Sequence, residues 1–324
     1  MIVLKREAPS ELLVLEALLR RLPSDDDEFM YYQDKYIRIK RGYEGELRVD
    51  RTWDEIKIPT EFYLFHNYET ENEVGHTHQI DSIFLCPHFI LLLEIKNIAG
   101  RIDFDQNKHQ LVRTRLDGTH EGFFNPIDQI ERHVKFFRHK LNDWNIELPI
   151  EYCIVFTQHS TLIGAVPPNV PIFHVSGLHT RVENLFIKYP IKSISKEQFA
   201  LIHKKVLAMY SRKHWKPNIE SSRFRKGALC KDDCKNQTSM VYNRGRFICP
   251  VCGFKSKEVI LEGLYDYRML YKPWITNNEL RSFFNISSSK VINKLLKKLK
   301  LQCNGENRGR IYYIPENIMD YKLD

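Results

Sequence analysis

The stretch "QIDSIFLCPHFILLLEIKN", residues 79–97, limits the fold more than any other part of the chain. Two short apolar runs flank Pro87 and His88, and their Ile, Leu and Phe content is that of strands filling a sheet core. The runs nevertheless carry Asp81, Glu94 and Lys96. Ionisable groups in so apolar a setting are costly unless they are paired, metal-bound or placed at a strand end. The strand period of two puts Ile90, Leu92, Glu94 and Lys96 on one face and Leu91, Leu93 and Ile95 on the other. If Pro87 and His88 form the turn, antiparallel pairing returns Asp81 toward Glu94 and Lys96.

Two carboxylates and a lysine at the edge of an apolar sheet suit metal-dependent phosphodiester hydrolysis. The carboxylates can hold Mg²⁺ or Mn²⁺ through oxygen, and the lysine can orient water or offset transition-state charge. The same three residues also fit a Glu–Lys ion pair capping a strand, with Asp81 polarising a turn. Taken alone they leave both readings open.

The flanking sequence supplies an α/β frame. Leu12, Leu15, Leu19 and Leu22 fall at helical spacing behind Ser10, an expected N-cap. A second helix is expected over 28–40, stopping at Gly42, and a short third one around Glu46. Strands follow at "EFYLFHNY", "QIDSIFLC", "HFILLLEIKN", "GRIDFD" and "QLVRTRL". In "NPIDQIERHVKFFRHKLNDW", Asn125 is a natural N-cap, Pro126 suits the first helical position, and Ile130, Val134 and Phe137 form a stripe. Strands "EYCIVFT" and "PIFHV" and helices near 178–188 and 195–212 complete a domain over 1–210. A basic linker is expected over 211–227, a cysteine-bearing unit over 228–257 and a last unit over 258–324.

"GYEGE" (42–46), "QID" (79–81), "EIK" (94–96) and "NPIDQIERHV" (125–134) occur in an order and spacing that resemble the nuclease-related domain (NERD) family, over roughly residues 35–160. That family belongs to the PD-(D/E)xK nuclease superfamily. The resemblance implies a restriction-endonuclease-like mixed central sheet with flanking helices and a divalent-metal active site. Carried over by motif, Asp81 and Glu94 would be ligands to Mg²⁺ or Mn²⁺, with the Ile95 carbonyl a further ligand. Lys96 would be the catalytic lysine, Glu46 an additional acid, and Gln129 a polar group facing the site. His133, at i+4 from Gln129, would be either a substrate contact or a helix-surface or partly buried histidine.

Four cysteines form the pairs "CKDDC" and "CPVCG", Cys230, Cys234, Cys249 and Cys252, separated by fourteen residues. Two such knuckles complete a closed tetrahedral Zn²⁺ site of structural type, and Gly253 suits the tight second turn. Cys86, Cys153 and Cys303 read as isolated buried thiols. The intervening sequence reads as a hairpin with Arg244 and Arg246 at its turn, similar to a zinc ribbon. From 259 onward, helices and a terminal hairpin resemble a winged helix-turn-helix. Val291, Leu295, Leu296 and Leu299 of its last helix would face inward. Ser288, Ser289, Lys290, Asn293 and Lys297 would then face a nucleic-acid groove, with Arg308 and Arg310 on the wing.

Charge divides along the chain. Residues 1–187 hold 21 Lys+Arg against 29 Asp+Glu, and residues 188–258 hold 17 against 5. An acidic front can hold cations, and a basic middle can neutralise phosphates. No apolar run approaches the ~20 residues of a membrane span, and no signal peptide is evident, so a cytoplasmic protein is expected. The function expected is a metal-dependent nuclease acting on DNA, with a homodimer left open. The alternative is a nucleic-acid-binding or regulatory protein that uses the nuclease fold as a non-catalytic scaffold.

Overall fold

A computed structural model describes residues 1–232, 234 and 238–323, the side chain of Arg308 excepted. The chain divides into two compact units, Met1–Ala8 with Lys40–Lys213, and Pro9–Ile39 with His214–Asp324. In chain order the first elements are β1 (Ile2–Leu4), α1 (Ser10–Arg21), α2 (Phe29–Glu55), β2 (Tyr63–Glu71), β3 (Thr77–Leu85) and β4 (Ile90–Lys96). Then come β5 (Gly100–Asp105), β6 (Gln110–Thr114), β7 (His120–Phe124), α3 (Pro126–Asp143), β8 (Ile150–Phe156), β9 (Thr161–Ile163), β10 (Ile172–His174), α4 (Leu178–Lys188) and α5 (Lys196–Met209).

The first unit is built on a mixed six-stranded sheet in the order β1-β2-β3-β4-β8-β10. β2, β3 and β4 are antiparallel neighbours, while β4–β8 and β8–β10 are parallel. Leu85 pairs with Ile90 across the Pro87–His88 turn, as the sequence predicts. All of β4 except Lys96 is buried, because helices cover both faces. Ile90 and Leu92 share a core cluster with Ile130, Val134 and Phe137 of α3 and with Phe199 and Ile202 of α5. Leu91, Leu93 and Ile95 share another with Val49 and Trp53 of α2 and Leu178 and Val182 of α4. A smaller sheet, β7-β6-β5-β9, branches from the chain after β4.

Two helix expectations change. α2 is one 27-residue helix rather than two that break at Gly42. Each interior glycine costs about 1 kcal/mol against Ala, which the packing of Val49 and Trp53 outweighs. Pro9, not Ser10, caps α1; the Ser10 hydroxyl instead accepts from the Trp215 amide at 3.2 Å. The α3 expectation holds, with Asn125 Oδ1 accepting from the Ile127 amide at 3.0 Å.

In the second unit, β11 (Ala228–Leu229), β12 (Ser239–Asn243), β13 (Arg246–Ile248) and β14 (Lys255–Ser256) form an antiparallel sheet. α6 (Val259–Leu270), β15 (Trp274–Thr276), α7 (Asn277–Phe284), α8 (Ser289–Leu299), β16 (Cys303–Asn304) and β17 (Ile311–Tyr313) follow, with β17 central in a three-stranded sheet. Thr276 caps α7 through a reciprocal pair with Glu279. α8 turns Ile292, not Val291, into the core beside Leu295, Leu296 and Leu299. The one-residue rotation leaves Val291 half-buried. Cys303 lies exposed on β16, whereas Cys86 and Cys153 are buried as expected.

α1 groups with this C-terminal material: Arg21 Nε reaches Asp266 Oδ2 at 2.7 Å and Arg20 Nη2 reaches Oδ1 at 2.6 Å. Residues after Lys213 join it, with Trp215, Ile219 and Phe224 packed on Leu15, Leu18 and Leu22. Among the described residues no helix is long and apolar enough to cross a membrane.

Candidate functional site

The β3–β4 ladder stops at Ser82–Leu93. One step further the Asp81 side chain replaces the backbone as acceptor, and its Oδ2 takes the Ile95 amide at 2.6 Å. The strands also break alternation here. Phe65 and Tyr68 share one core cluster, as do Ile80 and Ile83, although the members of each pair lie an odd three positions apart. The left-handed Asn67 (φ 46°) sits at this step on β2. The irregularity frees the Asp81 carboxylate from the ladder and turns it toward the end of β4.

Glu94 and Lys96 project from β4 on the α3 side. Lys96 Nζ donates to Glu94 Oε1 at 2.5 Å and lies 3.4 Å from Gln129 Oε1 on α3. Glu94 is 1% exposed, and its Oε2 has no hydrogen-bond partner among the described residues. Burial, then the neighbouring Asp81 charge, push Glu94 up to about 8. Burial also raises Asp81, with Lys96 and the Ile95 amide opposing it. Lys96 is held above its ordinary value by Glu94 and Asp81, which outweigh the opposing effect of burial. The geometry thus combines crowded hard oxygen donors with one orphaned, buried carboxylate oxygen. That donor chemistry fits a Mg²⁺- or Mn²⁺-type cation.

Glu46 reaches this region from α2. Burial and Asp81 raise it to about 7. Glu46, Asp81 and Glu94 do not bring three ligand atoms within 4.8 Å of one another. What links Glu46 to the strands is a residue that the sequence pattern did not single out, Arg6, which follows β1. Its side chain is 1% exposed. It donates to Glu46 Oε2 at 2.6 Å, to both Asp50 oxygens at 2.8 and 3.0 Å, and to Asn67 Oδ1 at 2.5 Å. Its Nη2 also meets the Asp81 carbonyl at 2.9 Å and Ser82 Oγ at 3.0 Å. No local motif announces such a residue, because its partners lie on three other elements.

Gly45 explains part of "GYEGE". A Cβ there would lie 2.5 Å from Asn97 Cβ and 2.6 Å from Thr157 Oγ1. The glycine lets α2 approach the ends of β4 and β8, which brings Glu46 to the site. His133 is fully buried and its Nδ1 meets His78 Nδ1 at 3.0 Å. Burial, with His78, drives it down to about 3, so the pair is neutral. A ring without solvent exposure makes no substrate contact in this conformation, and His133 is a core residue.

In the second unit, Cys230, Cys234, Cys249 and Cys252 bring all four sulfurs within 4.8 Å of one another. Cys230–Cys252 and Cys234–Cys249 are 3.5 and 3.6 Å apart. A tetrahedral site with Zn–S near 2.3 Å separates its sulfurs by roughly 3.8 Å, so the set could hold zinc. Against burial, the Cys252 and Val251 amides draw Cys249 down to about 6, whereas burial and the neighbouring thiols push Cys230 up to about 12, so one thiol of the metal-free set ionises first. Gly253 adopts φ 75°, which closes the knuckle. Arg244 and Arg246 lie exposed at the β12–β13 turn, and Lys290, Asn293, Lys297 and Arg310 are exposed on α8 and beside β17. The Arg308 side chain lies outside the described residues.

Residues 41–157 match the family model described as nuclease-related domain. A protein of Bacillus anthracis described as uncharacterized is 28% identical over 113 residues, which cover 35% of this chain and 50% of that protein. The chain thus spans about half the length of this curated relative. No solved structure matches it.

Proposed function

We propose that the chain is a divalent-metal-dependent nuclease that hydrolyses phosphodiester bonds, with DNA as its polymer. The observation that carries this reading is the Asp81 carboxylate of β3 accepting the Ile95 amide of β4 beside Glu94, whose Oε2 is buried and unpartnered among the described residues next to Lys96. Asp81, Glu94 and the Ile95 carbonyl would hold Mg²⁺ or Mn²⁺. The bound cation would polarise the scissile phosphate and lower the pKa of its water. Lys96, released from Glu94 when that carboxylate turns to the cation, would hold the attacking water or a phosphate oxygen. Gln129 orients the Lys96 ammonium from α3. Glu46, kept near neutrality between Arg6 and Asp81, would exchange a proton at the edge of the site.

The remaining parts fit this role. The four cysteines would hold structural Zn²⁺ in a ribbon. The helix, strand, helix, helix, strand, strand order of 259–313 would suit a winged helix-turn-helix. Arg244, Arg246, Lys290, Asn293, Lys297, Arg308 and Arg310 would contact nucleic acid. Uncrosslinked thiols suit a cytoplasmic location, and a homodimer would ease cutting of both strands.

One observation favours a non-catalytic scaffold instead: Arg6 and Lys96 already neutralise carboxylates that a cation would otherwise meet. Incubation of wild-type protein and Glu94→Gln with Mg²⁺ or Mn²⁺ and single-stranded, duplex, nicked and branched substrates separates the two. The nuclease reading expects cleavage by wild type and none by the variant. Equal cleavage by both would remove the site assignment, and binding without turnover by wild type would favour the scaffold.

A further inference from the structure

β4 and β8 run parallel, so their carboxyl ends lie together, and the Thr157 amide donates to the Lys96 carbonyl at 3.0 Å. Ligands of open α/β sheets sit outside such ends. Glu94 and Lys96 occupy the α3 side of this edge. On its α2 side stands Arg48, a half-buried residue that the candidate metal site does not use. Arg48 Nη1 donates to Asn97 Oδ1 at 3.2 Å, to the Thr157 carbonyl at 3.1 Å and to Gln158 Oε1 at 3.1 Å. Asn97, the residue after Lys96, also donates from Nδ2 to the Arg41 carbonyl at 2.6 Å. It thus grips α2 on either side of Gly45, where the missing Cβ lets helix and strand meet. The guanidinium is thereby held in register with the strand that carries Glu94 and Lys96.

All three acceptors are neutral, and they engage a single nitrogen of the fork. The Nε–Nη2 edge has no hydrogen-bond partner among the described residues. Two parallel N–H groups on such an edge match two oxygens of a phosphate. A tie between α2 and the strand ends needs donors, which a glutamine would also supply, and has no need of a cation. We propose that Arg48 binds a backbone phosphate of the substrate strand beside the scissile linkage. The strand would cross the ends of β4 and β8 from the α3 side to the α2 side. The proposal rests on the nuclease reading above and adds the path of the polymer. A site that grips a flanking linkage selects a nucleic-acid chain over a phosphomonoester or a single nucleotide.

The test is steady-state cleavage by the full chain, wild type and Arg48→Gln, with Mg²⁺ or Mn²⁺ across salt concentrations. The substrate is whichever labelled polymer wild type cleaves, duplex or single strand. Losing one phosphate contact lowers the log–log salt slope by about 0.7–0.9, so Arg48→Gln should raise KM about five- to eightfold at 0.1 M salt. kcat should fall much less, because the contact is as strong before the reaction as during it. Arg48→Lys restores the charge without the fork, so it should recover the salt slope and only part of the affinity. A role confined to tying α2 to the strands would lower the melting temperature and leave the slope unchanged. Independent of any variant at this position, the same polymer bound to the Glu94→Gln chain should shield Arg48 from phenylglyoxal, read by mass spectrometry. Cleavage by wild type with an unchanged slope in Arg48→Gln, or with Arg48 labelled equally with and without polymer, would overturn the anchor and leave the site assignment intact. No cleavage of any polymer by wild type would overturn both.

Discussion

Arg6 is the residue through which the first unit can be tested most sharply. Replacing it with Met keeps the length of the apolar stem and removes a guanidinium that is 1% exposed and bonded to Glu46, Asp50 and Asn67. Glu46 and Asp50 are then left 16% and 21% exposed without their counter-charge. Breaking a buried ion pair costs about 3–5 kcal/mol, and the partial hydration of Asp50 argues for the lower end. A loss of about 3 kcal/mol lowers the melting temperature of a unit this size by roughly 6–12 °C. The deficit should also depend on pH. Glu46 is raised to about 7 in the folded protein, so between its unfolded value and 7 the folded state binds more protons and stability falls as pH rises. Without Arg6 that window extends above 7, so the deficit should be larger at pH 8 than at pH 5. Thermal unfolding of the full chain, followed by circular dichroism at both pH values, measures this. Arg6→Lys, which restores one charge but not the two-pronged contact to Asp50, should fall between the two. A melting temperature for Arg6→Met within about 1 °C of wild type at pH 8 would refute the reasoning.

Three further outcomes are expected. Glu94, raised to about 8, makes the metal-free protein lose stability as pH rises toward 8, so Glu94→Gln should flatten that dependence and stabilise the protein at pH 8 by up to several kcal/mol; a parallel pH profile in urea titrations would contradict this. Gly45→Ala improves helix propensity by about 1 kcal/mol, but its Cβ meets Asn97 and Thr157, so a net destabilisation of about 1–3 kcal/mol is expected, and a higher melting temperature would show that the contact yields. Cys249→Ser should abolish stoichiometric zinc in metal analysis of the purified chain and expose β11–β14 to protease; zinc retained at wild-type level would remove Cys249 from the ligand set.

Much of this protein is written in short-range pattern. The Leu85–Ile90 turn and the Asn125 cap of α3 follow from residues only a few positions apart. The two cysteine pairs needed only their spacing to suggest a shared cluster. The alternation of β4 likewise put Glu94 and Lys96 on one face before any packing was known. Long-range choices were not legible in this way. Arg6 reaches Glu46 40 residues away and the Asp81 carbonyl 75 residues away, and Arg21 meets Asp266 at a separation of 245. Any of the chain's other cations could have satisfied those carboxylates on charge alone. Propensity broke α2 at Gly42, where packing carried it through, and helical spacing alone left His133 between surface and core. Local periodicity reports which face of an element is apolar. Which buried charge meets which partner depends on the elements the fold brings together, because burying an unmatched charge costs more than any local preference returns.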